Sequence, residues 1–183
     1  MQKNKNSLRM IILTGLFAAI IYLGIFILRI PIPAMVGRPF IHFGNTLAAL
    51  AILFLGPRNG IIAGIIGLGG FDVLNGYALT SWLTVLEVIV VGLTIEAVFK
   101  YLHHNDSKRN IIIVAITAGA MKIITSYCTS IIESLMVGTV FKTAIVASFL
   151  SLPATVINSI STAICVPILY FLLRKAFAAV NKD

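Results

Sequence analysis

The amino-acid sequence predicts an all-α integral membrane protein: a single domain, residues 1–183, folded as a six-transmembrane-helix bundle with both termini cytoplasmic. Three observations predict it. Hydrophobic residues make up 59% of the chain and charged residues 11%, whereas soluble domains are roughly 45–50% apolar even with glycine counted. The apolar residues fall in long runs, and a span takes about 20 of them, so the length holds roughly six spans with no soluble domain beside them. The third observation is the placement of charge. The net charge of +8 would suggest nucleic acid as a partner in a soluble protein, but here Lys3, Lys5 and Arg9 precede the first run, Lys100, Lys108 and Arg109 share one polar break, and Arg174, Lys175 and Lys182 follow the last run. Such clusters belong beside anionic lipid, and no nucleic-acid partner is expected.

Span 1 is read at 9–28. A secretory signal peptide is the competing reading, but Met10–Leu28 exceeds the roughly 7–15 residues of a signal core, and Arg29 and Pro31 stand where a small-residue cleavage site is needed. Span 1 is therefore expected to be retained. Its Thr14-x-x-x-Ala18 and Gly15-x-x-x-Ala19 pairs make a smooth strip, fit to dock another chain or another helix of the same bundle. Pro31, Pro33 and Pro39 end the segment, span 2 follows at 41–55, and Gly56-Pro57 closes it. Span 3, at 59–75, carries small-residue ridges at Gly60, Ala63, Gly64 and Gly67, with Asp72 and Asn75 near its outer end. Tyr77 and Trp82 then supply rings that suit either an interfacial aromatic belt or ligand stacking.

Span 4 is read at 82–100, with Glu87 near its outer end, Thr84 one turn away, and Glu96 about half a turn out of phase near the inner boundary. Glu87 is either a structural ion pair with Lys122 or Arg38 or a hydrogen-bond acceptor for a ligand; Glu96 suits a partner in a basic loop. Span 5, at 110–135, places Lys122, Ser126, Ser130 and Glu133 on one helical face with Thr129 alongside. Lys122 and Glu133 are about 16 Å apart along the axis, so each needs a partner elsewhere. Gly138 separates span 6, read as one helix at 143–173, whose Ser148, Ser151, Thr155, Asn158 and Thr162 form a second stripe. That stripe is a packing seam or a cavity wall. With the termini inside, ten Lys and Arg fall in inner segments against Arg29, Arg38 and Lys142 outside.

Enzyme signatures are absent: there is no phosphate-binding loop, H-E-x-x-H, C-x-x-C or G-x-S-x-G, and His42, His103 and His104 form no metal set. No enzymatic activity, metal or cofactor is expected for this chain. Cys128 and Cys165 lie in apolar runs as free thiols.

His42-Phe43-Gly44-Asn45, Leu55-Gly56-Pro57-Arg58-Asn59-Gly60 and Gly70-Phe71-Asp72-Val73-Leu74-Asn75-Gly76-Tyr77, in this order and spacing, resemble the S components of energy-coupling factor (ECF) vitamin transporters. Together with the size, the six spans and the strip on span 1, the resemblance covers nearly the whole chain. It runs closest to members assigned to hydroxymethylpyrimidine or pyridoxine, with riboflavin-type members next. It implies a specificity subunit in the bacterial plasma membrane that binds a vitamin near its outer face and joins a membrane coupling subunit and two ABC ATPase subunits, which use the ATP. It also implies that Thr14, Gly15, Ala18 and Ala19 meet the coupling subunit, with Thr and Gly replacing two alanines of the family strip. Family pockets lie at the outer parts of helices 4 to 6 and the loops after helices 1, 3 and 5. On this chain that implies Tyr77 or Trp82 stacking a flat ring, Glu87 and Glu133 accepting hydrogen bonds, Tyr127 and Asn158 fixing orientation, Lys122 neutralising a carboxylate, and Arg38 and Phe40 near a lid. A stand-alone proton-coupled transporter using Glu87, Glu133 and Lys122 is the alternative, with a membrane enzyme behind it.

Overall fold

The structure, a computed structural model, describes residues 2–32 and 40–180. Pro33 and Pro39, expected to end the first segment, and Arg38, expected near the lid, lie outside the described residues. The elements in order are α1 (Gln2–Phe26), a short antiparallel pair β1 (Ile30–Pro31) and β2 (Phe40–Ile41), α2 (Gly44–Gly64), a wide π-type turn (Ile65–Gly69), α3 (Gly70–Leu74), α4 (Ser81–Tyr101), α5 (Lys108–Met136), α6 (Phe141–Leu150) and α7 (Pro153–Val180).

Among the described residues, five segments are long and apolar enough to cross a bilayer: Leu8–Phe26, Gly44–Leu74, Ser81–Tyr101, Lys108–Met136 and Pro153–Phe177. Gly44–Leu74 is not one rod. Gly56 leaves the helix at φ 78°, ψ 170°, a conformation essentially restricted to glycine, and Pro57 follows with no N–H to continue the hydrogen-bond ladder. The chain folds back there, so that the Ile52 backbone lies against Gly60 and Ala48 against Gly64. Residues 44–55 form a limb about 18 Å long, short of the roughly 30 Å hydrocarbon layer. The β2 strand precedes this limb at its far end.

The span expected at 143–173 is corrected to two helices, α6 and α7, broken at Ser151-Leu152. The residue before a proline is disfavoured in helical geometry and Pro153 has no N–H, so Pro153 starts a new helix and cannot extend the old one. This break lets the polar stripe turn a corner with Ser148 on α6 and Thr155, Asn158 and Thr162 on α7.

Small residues set how closely the helices approach. The ridge of Gly60, Gly64 and Gly67 is divided among three neighbours: Gly60 abuts the 44–55 limb, Gly64 meets Val88 of α4, and Gly67 admits Ile21 and the Ala18 carbonyl of α1. Gly119 of α5 likewise faces the Ser159 carbonyl of α7. The core between them is apolar, with Ile21, Ile25, Leu50, Phe71, Ile95, Ile111 and Val166 nearly inaccessible. At the end that carries the termini, Glu96 pairs with His104 at 3.3 Å, and Asp106 pairs with Arg174.

Candidate functional site

At the opposite end, β2, the α3–α4 loop and the α5–α6 loop surround a cavity of about 720 Å³. Its walls are built by local periodicity. The face of α5 that carries Lys122, Ser126, Thr129, Ser130 and Glu133 looks into it, and so do Ser148 of α6 and Thr155 and Asn158 of α7. A polar stripe inside an apolar helix has to meet protein or water, and on these helices the shared void is what it meets.

The charges pair across elements. Lys122 of α5 donates to Glu87 Oε2 of α4, and Thr129 donates to Glu87 Oε1 at 3.2 Å. Glu87 is thus held as one half of a buried ion pair with Lys122, one of the two basic partners the sequence offered it, while still lining the chamber. Thr84 turns from Glu87 and donates to Asp72 of α3. Glu133 faces Thr80 of the α3–α4 loop. Three carboxylates, Asp72, Glu87 and Glu133, therefore line the chamber against the single ammonium of Lys122 among the described residues. The Glu87–Lys122 pair also forms the floor. Beneath it lies a small void of about 30 Å³, walled by Ala48, Ala49, Val88, Ile95 and Ala118.

One wall is aromatic: the Phe40 ring centroid is 5.7 Å from that of Phe71 and 6.1 Å from that of Tyr77. Asn158 fixes this wall. Its Oδ1 accepts from the His42 N–H at 2.9 Å and its Nδ2 donates to the Phe40 carbonyl at 2.9 Å, so its amide clamps the strand to α7. The lower end of the stripe is a seam, where the hydroxyls of Thr162 and Thr46 meet at 3.2 Å.

His42, on the chamber wall just before α2, accepts the Gly44 N–H on Nδ1. Its loss of bulk water and then the charge of Lys122 push its pKa down from 6.5 to about 3, which leaves the ring neutral. An unfolded chain takes up that proton near pH 6.5, so this contribution to stability is complete above pH 6.5 and is lost as pH falls from there towards 3. His42→Asn supplies an acceptor to the same N–H without the titration. The expected result is a smaller drop in melting temperature between pH 7.5 and 5.5 than in the wild type; equal drops would show that His42 does not carry it.

Of the residues singled out from sequence, Tyr77, Glu87, Lys122, Glu133 and Asn158 meet at the chamber. Trp82 does not line it: its side chain is 46% exposed on the outer surface of α4. Tyr127 lies outside as well and donates to the Ile145 carbonyl, tying α5 to α6. Arg38 is outside the described residues. The strip on α1 divides. Ala18 is only 4% exposed and Thr14 is buried, both facing their own bundle, while Gly15 and Ala19 are exposed on the other side. Consecutive positions on a helix differ by about 100°, so Thr14-Gly15 and Ala18-Ala19 cannot share one face. Asp72, His42 and Phe40 were not among the selected chamber residues apart from Phe40's place at the lid; the acidic residue at the end of a glycine-rich helix, next to a proposed outer loop, was the available signal for Asp72.

A multi-pass helical bundle with a polar, ligand-sized chamber at the end away from its termini has the build of a small-molecule-binding membrane protein. The chain belongs to the family described as ECF-type riboflavin transporter, S component, whose model matches residues 5–175. In fold it is similar to a solved S component of a bacterial ECF transporter, at a TM-score of 0.65 and 23% identity over 99% of both chains. No curated protein matches it in sequence. Membership makes this chain a transporter component and not an enzyme: the vitamin-binding specificity subunit of an ECF transporter, which associates with a membrane coupling component and ATPases.

Proposed function

We propose that this subunit takes a small flat heteroaromatic vitamin, pyridoxine or hydroxymethylpyrimidine, into the chamber from outside the bacterial plasma membrane and passes it to the cytoplasm with a coupling subunit and two ATPases. The observation that carries this reading is the chamber itself. An aromatic wall of Phe40 and Tyr77, backed by the buried Phe71, meets a lining of carboxylates and hydroxyls within one void, which suits a single ring bearing donor groups. Riboflavin is the second reading, favoured by the description of the matching family and by a volume of about 720 Å³, ample for a three-ring ligand. The chain reversal at Gly56 makes Gly44–Leu74 two passes through the bundle, the first a limb shorter than the bilayer, which supports six passes with α6 as a connecting helix, and the basic residues flanking the termini support a cytoplasmic location for both.

A binding panel of pyridoxine, hydroxymethylpyrimidine and riboflavin on the purified subunit tests the substrate, and failure of all three removes the reading. The surplus of carboxylates predicts that pyridoxine 5′-phosphate binds far more weakly than pyridoxine. Docking is tested on the exposed half of the α1 strip. Ala19→Trp is expected to abolish uptake by the assembled transporter while leaving binding by the isolated subunit unchanged; normal uptake in this variant moves the coupling contact elsewhere. Ala18→Trp is no substitute, because Ala18 packs inside the bundle. Uptake by this chain alone in vesicles, abolished by a protonophore, would establish the proton-coupled alternative.

A further inference from the structure

The polar side chains at the inner end of the chamber are of two kinds. Glu87 and Lys122 satisfy each other, and Thr129 donates to the same carboxylate. His42 and Asn45, where the chain enters α2, are left over. Both line the chamber and both are partly exposed, and neither Nε2 of His42 nor the carboxamide of Asn45 has a hydrogen-bond partner among the described residues. Their free atoms are also reachable. The unpaired side-chain polar atoms with no accessible surface are, among the described residues, the hydroxyls of Ser134, Ser148 and Ser159. His42 and Asn45 are not of that set, so their unpaired atoms keep surface that a ligand can touch.

The ring of His42 is fixed in tautomer and in place. Its Nδ1 accepts the Gly44 N–H at 3.0 Å, so that nitrogen carries no proton, and in a neutral imidazole the proton then sits on Nε2, across the ring. Loss of bulk water keeps the ring neutral, and the same seclusion leaves the chamber as the space onto which Nε2–H opens. The His42 backbone N–H is held by Asn158 at 2.9 Å and the ring lies 5.1 Å from that of Phe40, so the donor is in position before a ligand arrives. Asn45 follows in the first turn of α2. It shares a helical face with Ala48, Ala49 and Ile52, which wall the small void, and like Glu87 and Lys122 it borders that void and the chamber both. Its carboxamide therefore brings a donor and an acceptor to the chamber floor.

At this end of the chamber the charges are matched to each other and the unmatched groups are neutral. A neutral N–H and a neutral amide are complementary to the edge of an uncharged heterocycle, where a ring nitrogen or carbonyl accepts and its neighbour donates or accepts in turn. We infer that His42 and Asn45 form the subsite that reads the heterocyclic edge of the vitamin: Nε2–H of His42 donates to a ring nitrogen or ring carbonyl, and the Asn45 carboxamide bonds the adjoining position. This rests on the vitamin-binding reading above and adds which end of the ligand points inward. The polar edge of the ring faces the Glu87–Lys122 floor while its flat face lies along the wall of Phe40 and Tyr77. Sites that hydrogen-bond their ligand discriminate more strongly than sites that only fit it, because an analogue without the group leaves the protein's donor unmade.

The test uses the full-length protein in detergent at pH 7.5 and whichever of pyridoxine, hydroxymethylpyrimidine and riboflavin it binds most tightly. Two substitutions separate the two ring nitrogens. Asparagine keeps an acceptor near the place of Nδ1 and has nothing at Nε2, whereas glutamine carries its amide N–H to the place of Nε2 and leaves the Gly44 N–H without its acceptor. His42→Asn is expected to weaken binding about 5- to 100-fold with the ligand-free melting temperature unchanged. His42→Gln should regain part of that affinity and melt lower. A purely structural histidine gives the reverse order, with glutamine the poorer binder. Asn45→Ala should weaken binding about 5-fold or more while its ligand-free melting temperature holds or rises, since no protein partner is lost and alanine favours a helix. Wild-type affinity in His42→Asn or in Asn45→Ala overturns the proposal, as does weaker binding by His42→Gln than by His42→Asn, or a lower ligand-free melting temperature in Asn45→Ala. Any of these results with tight vitamin binding by the wild type leaves the vitamin-binding reading standing. Absence of wild-type binding to all three compounds overturns the two together.

Discussion

Glu87→Ala is expected to lower the stability of the ligand-free protein by about 3–5 kcal/mol, read as a large drop in melting temperature in detergent. The reason is what the substitution leaves behind. Lys122 sits at the chamber floor with its side chain 19% exposed, and Glu87, at 9%, is its only ion-pair partner among the described residues. Removing the carboxylate takes away the ammonium's hydrogen-bonded counter-charge and leaves the Thr129 hydroxyl only the Ser126 carbonyl as acceptor. Lys122→Met should cost a comparable amount by stranding the carboxylate. Glu87→Met with Lys122→Met removes both charges and fills similar volume, so it should recover most of the loss, since a buried pair contributes little against an apolar replacement. If the double variant proves less stable than either single one, the pair is not what holds α4 to α5.

Gly60→Ala is expected to have the next largest effect, about 1–3 kcal/mol or more, with loss of monodisperse protein in detergent. The added methyl would fall inside van der Waals contact of the Ile52 backbone, across the reversal at Gly56. A clash with backbone cannot be relieved by a rotamer change, so the two limbs must separate, and the separation moves β2 and the Phe40 wall carried by the first limb. Gly15→Ala is the matched control. Nothing lies within 4 Å of that added methyl, and alanine favours a helix by about 1 kcal/mol over glycine, so stability should hold or improve. A loss of stability at Gly15 equal to that at Gly60 would mean that the Gly60 effect does not come from the close approach.

Much of the chamber wall was legible before any coordinates. Lys122, Ser126, Ser130 and Glu133 mark one face of α5 because a helix repeats every 3.6 residues and the bilayer penalises polar groups that face lipid. The turn at Gly56-Pro57 was legible for an equally local reason, the backbone freedom of one residue and the missing N–H of the next. Between the two rings the sequence leaves open, the structure puts Tyr77 on the chamber and Trp82 off it: an aromatic residue at a membrane boundary suits the outside of a bundle as well as a pocket, and sequence does not give the rotation of α4 about its axis. The amide of Asn158, a candidate from sequence, is engaged by the Phe40 carbonyl and the His42 N–H, a contact across more than 110 positions of chain.

Composition, charge placement and helical period were enough to specify a multi-pass membrane bundle and to mark which side chains must avoid lipid. These are properties of a residue and its near neighbours in water or hydrocarbon, and they need no knowledge of the other helices. Which polar groups meet was decided only by the packed bundle: Lys122 with Glu87, Thr84 with Asp72, and Ala18 inward with Ala19 outward. Those outcomes depend on helix rotation and close approach, set by glycines such as Gly64, Gly67 and Gly119 acting on Val88, Ile21 and Ser159 far away in the chain, and packing of that kind has no local signature.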